Sequence, residues 1–232
     1  MKVSFVLPSK DSACWLAHSL ESVQKQTYAN IEIIVVNDGS KDSTRELLDF
    51  VSAKDKRIKP IHFLAPGGRS FARNAGNEAA TGDIICVLDA DDLAEPERAR
   101  LTVEKFKRNV DVVYGSMQRM DAIGNKRGEL LADVFNRERC FKDKTFYIVH
   151  SSVAYRKEVA LRFPYKGGEV ADLGIDDFTF YAEAAAAGLK FDFIPNLVGT
   201  YRVLSTGISR VRDEKKVLEV KEKILAALNV AA

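Results

Sequence analysis

One stretch in the first half of the chain constrains the fold more than any other, because an apolar run ends abruptly in acidic residues. The run covers residues 84–88, and Asp89, Asp91 and Asp92 fall within the next four positions. A buried strand can carry the apolar residues, but it cannot carry clustered carboxylates that lack partners. The three acids are therefore predicted to lie where a central strand emerges from its sheet.

Similar apolar runs occur at 3–7, 31–36 and 58–64, and each is followed by residues at helical spacing. This alternation predicts an α/β fold with a mostly parallel central sheet and helices on both of its faces. In open sheets of this kind, ligands bind at the carboxyl ends of the strands. The acidic cluster is thus expected at the ligand-binding edge.

The chemistry of these acids suggests what binds there. Asp89 and Asp91 are separated by one residue, so an extended backbone points both carboxylates the same way. Hard oxygen ligands suit Mg²⁺ or Mn²⁺ holding a diphosphate, and we interpret the stretch as the metal and nucleotide-diphosphate site of a sugar transferase. In the alternative interpretation, the acids are solvated turn residues that cap the helix after Pro96.

The composition is that of a globular protein with a core, since 46% of the 232 residues are hydrophobic. A net charge of +2 gives no reason to expect nucleic-acid binding. No apolar run approaches the roughly 20 residues that span a bilayer, and the amino terminus is typical of a first buried strand rather than a signal peptide. Cys14, Cys86 and Cys140 are too scattered for a disulfide framework or a zinc site, which favours a reducing cytoplasm.

A series of short motifs resembles the family 2 glycosyltransferases of the GT-A fold. The motifs are Val6-Leu7-Pro8, Gln26-Thr27-Tyr28, Val36-Asn37-Asp38-Gly39-Ser40, Ala72-Arg73-Asn74-Ala75-Gly76, Thr81-Gly82-Asp83, Asp89-Ala90-Asp91 with Asp92, Asp176-Asp177 and Tyr201-Arg202. The resemblance covers residues 1–210. It implies a single Rossmann-like GT-A domain that transfers a sugar, with inversion, from a nucleotide-sugar donor to an acceptor hydroxyl.

The resemblance also divides the chain. It implies a nucleotide-sugar-binding half at 1–96, an acceptor-side half at 97–210 and a carboxy-terminal amphipathic helix at 211–232. The apolar stripe of that helix is more typical of core or of a docking surface, including one for another subunit, than of a peripheral membrane anchor. The implied setting is cytoplasmic synthesis of a polysaccharide or another glycoconjugate.

Roles of individual residues follow from the same resemblance. Asp38 would bind the nucleoside base, which is expected to be uracil, and Pro8 would shape the opposite wall of its pocket. Arg73 would lie near the base and the diphosphate, Asp89 would contact the ribose, and Asp91 would hold Mn²⁺ or Mg²⁺ in the DXD motif. The remaining nucleotide-sugar-binding residues would be Asp11, Gly39 and Ala90.

Asp177, or less favourably Asp176, would be the general base that takes the proton of the acceptor hydroxyl. Family members often have Glu-Asp at this motif, and they often place a histidine where this chain has Leu204. The residues alone also allow interpretations in which they have no catalytic or binding role. Asp176 and Asp177 could cap a helix, Asp38 and Gly39 could belong to a turn, and Arg73 could be a surface residue.

Three competing functions remain at this stage. A catalytically silent binding or scaffold module could keep the fold without the chemistry. A sugar nucleotidyltransferase would need a glycine-rich phosphate loop after the first strand, where this chain has Pro8-Ser9-Lys10-Asp11. A dinucleotide-binding oxidoreductase is disfavoured because no GxGxxG motif follows that strand.

Overall fold

A computed structural model of the chain describes residues 1–205 and 213–230. Its strands are β1 Val3–Ser9, β2 Ile31–Asp38, β3 Ile58–Phe63, β4 Ile84–Val87, β5 Leu93–Ala94, β6 Val112–Met120, β7 Lys126–Leu130, β8 Ala154–Arg156 and β9 Phe191–Arg202. Its helices are α1 Ala13–Gln24, α2 Thr44–Lys54, α3 Arg69–Ala79, α4 Arg98–Phe106, α5 Arg137–Lys142, α6 Lys157–Arg162, α7 Glu169–Asp172, α8 Asp176–Ala186 and α9 Glu214–Ala227. A short 3-10 turn lies at His150–Ser152.

The strands of the described chain form one mixed sheet in the order β3-β2-β1-β4-β8-β6-β9-β5, with β7 paired to β6. The first four strands are parallel, as the alternation of strands and helices predicted. In the other half, β6 and β9 are parallel, while β5, β7 and β8 join their neighbours in antiparallel pairs. The α/β class and the GT-A-like architecture are thus confirmed.

Helices cover both faces of the sheet because the central strands are apolar on both sides. Along β1, Phe5 and Leu7 belong to one buried cluster and Val6 to the other. A Cβ atom at Gly76 of α3 would lie 2.4 Å from a methyl carbon of Val6. The glycine therefore lets α3, which carries Arg73, lie directly on the sheet.

The second half departs from the expected detail. The sequence at residues 189–194 and 197–203 predicts two short strands, but the chain forms the single strand β9, whose register against β6 shifts near Ser116. The shift explains the misleading pattern, because an irregularity interrupts the alternation of side chains within a continuous strand. The segment after residue 116, where the periodicity weakens, contains the end of β6, β7 and the short α5.

The predicted carboxy-terminal helix is present as α9. Its residues Val217, Val220 and Leu225 are buried against a cluster that includes Phe178 and Ala182 of α8. The apolar stripe is therefore used for packing within the fold. Residues 206–212 and 231–232 of the predicted segments lie outside the described residues. In the part of the chain that is described, no helix combines the length and apolarity needed to cross a membrane.

Glu32 is a charged residue of the buried strand β2, between Ile31 and Ile33, and only 2% of its surface is exposed. Its carboxylate accepts hydrogen bonds from Lys2, Lys59 and Ser4 and from both the backbone and the side chain of Thr81. Burial alone would raise the pKa of Glu32, but these donors outweigh it and hold the pKa well below its usual range. The carboxylate thereby ties β2 to β1, β3 and the start of β4.

We predict that Glu32→Gln lowers the free energy of unfolding by about 2 kcal/mol at pH 7, because the variant loses charge-assisted bonds in a buried site. Because the folded pKa is depressed, this stabilisation is present above the unfolded pKa and is lost as pH falls below about 4. Urea denaturation at pH 7 measures the first effect, and a series that continues from about pH 5 down to about pH 2 measures the second. The exposed Glu46→Gln is the control, and equal stability of the two variants would contradict the assignment.

Candidate active site

The first cavity opens at the carboxyl ends of β1, β2 and β4, which is the edge where the sequence placed a ligand. Its volume is about 650 Å³. The lining residues are Pro8, Ser9, Lys10, Asp11, Ser12, Trp15, Asp38, Gly68, Arg69, Ala72, Asp89, Ala90, Asp91, Tyr201 and Leu204. Six of the expected nucleotide-sugar and metal residues therefore share one cavity, namely Pro8, Asp11, Asp38, Asp89, Ala90 and Asp91.

The three acids after β4 have different environments. Asp91 faces the cavity, and no side chain in the described part of the chain hydrogen-bonds to its carboxylate. Burial, and then the nearby Asp89 carboxylate, raise the pKa of Asp91 to about 6. Asp92 is fully buried behind the cavity, where it accepts a hydrogen bond from the backbone N–H of Arg202 at 2.7 Å. Asp89 and Asp91, the two acids of the DXD pattern, thus both line the first cavity. They do so from a turn, in which the backbone N–H of Asp92 donates to the carbonyl of Asp89 at 3.0 Å, and not from the extended backbone that their spacing predicted.

Asp38 lies in the cavity wall at the end of β2, where its carboxylate also organises the facing loop. Its two oxygens accept hydrogen bonds from the backbone N–H groups of Gly67 and Gly68 at 2.7 and 2.9 Å. Gly39 is not among the described residues that line the cavity. Its φ is +65°, and a Cβ there would lie 2.7 Å from the backbone nitrogen of Pro66. Gly39 is therefore needed for the close approach of that loop.

A second cavity of about 320 Å³ adjoins the first. It is lined by Arg69, Arg73, Asp89, Leu130, Ile148, Val149, His150, Ser151, Gly174, Asp176, Asp177 and Tyr201. Arg69, Asp89 and Tyr201 line both cavities. The two spaces therefore meet at a shared wall, with Asp91 on one side of it and Asp177 on the other.

A buried ion-pair network forms this wall. Arg73, which is 4% exposed, donates to Asp176 at 2.6 Å and to Asp89 at 2.9 Å. Arg69, one helical turn earlier on α3, donates to the other oxygen of Asp176 at 2.6 Å. Burial opposes ionisation of Asp176, but Arg73 and then Arg69 outweigh it and hold its pKa well below the usual range. Arg73 thus lies in the second cavity and does not line the first.

Asp177 has the opposite environment to its neighbour Asp176. It accepts a hydrogen bond from the backbone N–H of Phe178 at 2.7 Å, and no arginine pairs with it among the described residues. Burial, and then the adjacent Asp176 carboxylate, raise the pKa of Asp177. A carboxylate that lines a cavity and has a raised pKa is suited to accepting a proton.

A neutral histidine lies at the base of the second cavity. Hydrogen bonds join His150 to Tyr181 through Nδ1 (2.6 Å) and to Tyr165 through Nε2 (3.1 Å). Burial, and then the charge of Arg73, lower the pKa of His150 to about 3. Since both ring nitrogens are already bonded, His150 supports the cavity wall and Tyr181, which lies one helical turn after Asp177.

Comparisons with known proteins identify the family of this chain. The family model for glycosyl transferase family 2 matches residues 4–162, which is well over half of the chain. The chain belongs to glycosyl transferase family 2. An uncharacterised glycosyltransferase of Nostoc is 35% identical over 175 residues, covering 68% of this chain and 52% of the relative. One from Bacillus subtilis is 29% identical and covers 91% of this chain and 59% of the relative.

Solved structures show the same fold. This family 2 member aligns over its whole length with the TarS fragment of Staphylococcus aureus in complex with UDP-GlcNAc, at a TM-score of 0.79 and 18% identity, covering 67% of that chain. It also aligns over its whole length with a mannosyltransferase of Pyrobaculum calidifontis in complex with GDP-Man and Mn²⁺, at 0.68 and 17%, covering 65% of that chain. The chain spans little more than half the length of the curated relatives described above.

Trp15 and Arg69 are among the cavity residues of this family 2 chain that were not predicted as site residues. Trp15 has a helical spacing to Leu16 and Leu20 that indicates only a helix, yet its side chain is half-buried and lines the first cavity. Arg69 precedes Arg73 by four residues at the start of α3, so both guanidinium groups can reach Asp176. That spacing was the available signal for Arg69, but no pattern along the sequence indicates its partner 107 residues away.

The carboxylates present fit a hard divalent cation whose remaining ligands come from substrate phosphates and water. Among residues 1–205 and 213–230, no three His, Cys, Asp or Glu side chains converge into a ready-made metal cage. Asp91 nevertheless offers an unpaired carboxylate, and one oxygen of Asp89 is not used by Arg73. Mg²⁺ and similar ions are commonly held by one or two carboxylates together with substrate phosphates and water. Asp91 and Asp89 are therefore the residues that would hold such an ion.

Substitution of the two neighbouring acids of α8 by asparagine is predicted to have opposite effects on stability. Asp176→Asn should lower the free energy of unfolding by about 3 kcal/mol, because it leaves Arg69 and the buried Arg73 without their counter-charge. Asp177→Asn should leave stability unchanged or raise it, because the ionised carboxylate is disfavoured by burial at this position. Chemical denaturation at pH 7 tests both, and each variant is the control for the other. Equal losses would contradict the division of roles.

Proposed function

We propose that this chain is a metal-dependent, inverting glycosyltransferase that moves a sugar from a UDP-linked donor to an acceptor hydroxyl. Family membership supports the class of reaction. The observation that carries the proposal is the pair of adjoining cavities, which share Asp89 and place Asp91 and Asp177 on opposite sides of that shared wall. Such an arrangement suits a nucleotide diphosphate in the first cavity and an acceptor in the second.

In this mechanism Asp177 accepts the proton of the acceptor hydroxyl while the hydroxyl oxygen attacks the anomeric carbon of the donor sugar. A single displacement from the face opposite the leaving group inverts that carbon. The raised pKa of Asp177 increases its strength as a base, whereas the arginines hold Asp176 as an anion of fixed position. Asp176 therefore has a structural role, and Asp177 is the catalytic base.

The leaving group is a nucleoside diphosphate, so negative charge develops on its oxygens as the glycosidic bond breaks. Asp91, together with Asp89, would hold Mn²⁺ or Mg²⁺ against these oxygens, and a bound ion of this kind supplies Lewis-acid stabilisation of that charge. Arg69 adds a positive group at the shared wall, where it is 31% exposed. Asp38, Pro8 and Trp15 would enclose the nucleoside.

A uridine nucleotide is favoured over other donors by the likeness of the fold to TarS, whose structure holds UDP-GlcNAc, although a mannosyltransferase of similar fold holds GDP-Man. The donor sugar would be chosen by groups at the junction of the cavities. We further propose that the product belongs to a polysaccharide or another glycoconjugate made in the cytoplasm.

The donor is tested by thermal unfolding with a panel of UDP and GDP sugars, each with and without Mn²⁺. A ligand that binds the folded state at about a hundredfold above its Kd should raise the Tm by about 5 to 10 °C. The UDP compounds should act in the presence of Mn²⁺, and Asp91→Asn should abolish this shift. Asp83→Asn, an acid outside both cavities, is the control. A panel without any shift would reject the proposed donor.

The catalytic base is tested by transfer kinetics with Asp177→Asn. The variant should bind UDP and Mn²⁺ like the unmodified protein but should lose about two to four orders of magnitude in kcat. Because burial raises the pKa of Asp177, the kcat of the unmodified protein should fall as pH drops through a value above the ordinary range of aspartate. If the variant kept its kcat, or if its kcat still fell at low pH as in the unmodified protein, the base would be another residue.

A further inference from the structure

The motif Tyr201-Arg202 has no role in the mechanism described so far. Arg202 is the last residue of β9 and is 7% exposed. It lies beside the end of the acidic cluster because β9 pairs with the two-residue strand β5, which begins at Leu93 directly after Asp92. A buried arginine at this place requires partners for its charge and its donors.

Arg202 binds both residues that end the acidic cluster. Its side-chain Nε donates to the backbone carbonyl of Asp91 at 2.9 Å. Its backbone N–H donates to the carboxylate of Asp92 at 2.7 Å. The backbone of Asp91 is therefore held from one side and the side chain of Asp92 from the other, which fixes the direction in which the Asp91 carboxylate enters the first cavity.

The same guanidinium group lies against Trp15. Its central carbon is 4.4 Å from the centre of the Trp15 ring. This distance is within the range of a cation–π interaction, which is strongest with tryptophan. Trp15 is the single tryptophan of the chain, and it lines the first cavity together with Pro8 and Asp38. Arg202 thus supports the indole of the cavity wall.

A third set of contacts anchors Arg202 itself. Its Nη1 donates to the carbonyl of Ala122 at 3.0 Å and more weakly to that of Asp121 at 3.4 Å. Within the turn between β6 and β7, the Asp121 carboxylate accepts hydrogen bonds from the backbone of Asn125 and from the side chain of Arg127. The guanidinium group is therefore held by the backbone of a hydrogen-bonded turn outside the cavity.

We propose that Arg202 is a positioning residue that holds Trp15 and Asp91 in place for the donor, and that the Trp15 indole is the wall against which the nucleoside packs. An aromatic face opposite a polar group is a common way to hold a nucleobase. The inference rests on the proposed function, because it takes the ligand of the first cavity to be a nucleotide. It adds Arg202, which acts on binding through Trp15 and Asp91, and it specifies the contact that Trp15 makes with the nucleoside.

The planar fork of arginine is required for this role. Lysine keeps the positive charge, but it cannot donate in two directions from a fixed plane and stack on the indole at the same time. Arg202→Lys should therefore behave more like Arg202→Met than like the unmodified protein. Arg156 provides a matched control, since it lies outside both cavities. It donates to the carbonyls of Val110 and Phe106 and packs on the Phe106 ring at 5.4 Å.

The experiment is a titration with UDP in the presence of Mn²⁺, followed by the fluorescence of Trp15. The unmodified protein should show a saturable change, and both Arg202→Met and Arg202→Lys should raise the Kd for UDP about tenfold, as expected for the loss of one charged hydrogen bond and one cation–π contact. Arg156→Met should keep the Kd, although it also loses buried contacts. Acrylamide quenching of Trp15 without ligand should increase in the Arg202 variants and stay unchanged in Arg156→Met.

Trp15→Leu gives a second, independent measurement, because it leaves the contacts of Arg202 with Asp91 and Asp92 in place. Thermal shift, which needs no tryptophan, should also show weaker binding of UDP in this variant. Equal Kd values for Arg202→Lys and the unmodified protein would overturn the inference alone. Equal losses in Arg156→Met and Arg202→Met would do the same, by showing a general effect of stability. No response of the unmodified protein to UDP would reject the proposed donor together with the inference.

Discussion

The structure depends on one buried interaction, in which Arg73 of α3 joins Asp176 of α8 and Asp89 at the end of β4. These three residues come from the two halves of the chain, so the network holds the parallel half of the sheet against the mixed half. It is also the wall where the two cavities meet. A buried arginine between two carboxylates keeps both anionic, and the pKa of Asp89 is lowered because the charge and the hydrogen bond of Arg73 outweigh the cost of its burial. The same contacts that join the halves therefore set the charge of the site.

Much of the first half was predictable because its signals are local. The apolar run at residues 84–88 and the acids after it are adjacent in sequence, and a local turn directly after β4 brings Asp89 and Asp91 to the same cavity. Gly39 shows the limit of this approach. Its neighbour Asp38 belongs to the cavity wall, but Gly39 is required by the approach of the loop at residues 65–66, a contact between distant segments. The sequence indicates the motif that contains Asp38 and Gly39, but only the fold shows why a glycine is required at position 39.

The second half was harder to predict because its order comes from long-range contacts. The continuity of β9 depends on its pairing with β6, where a register shift disturbs the pattern of side chains. Trp15 shows the same difficulty in a helix. Its spacing is that of a core residue, and the partner that keeps it at the cavity, Arg202, is far along the chain. Periodicity indicates which face a residue occupies, but it does not distinguish a face against the core from a face against a ligand.

The two adjacent acids of α8 illustrate how a fold separates structure from chemistry. Both begin the helix, where its amino-terminal dipole favours negative charge, but Asp176 is buried whereas Asp177 is half-buried and lines the second cavity. The difference is made by α3, whose residues Arg69 and Arg73 are spaced by one turn and both pair with Asp176. Asp176 is thereby fixed as an anion, and its charge in turn raises the pKa of Asp177. A pair of carboxylates whose environments move their pKa values apart is a recurring basis for acid–base chemistry. Because the arginines pair with Asp176, Asp177 is left as the carboxylate that we propose as the base.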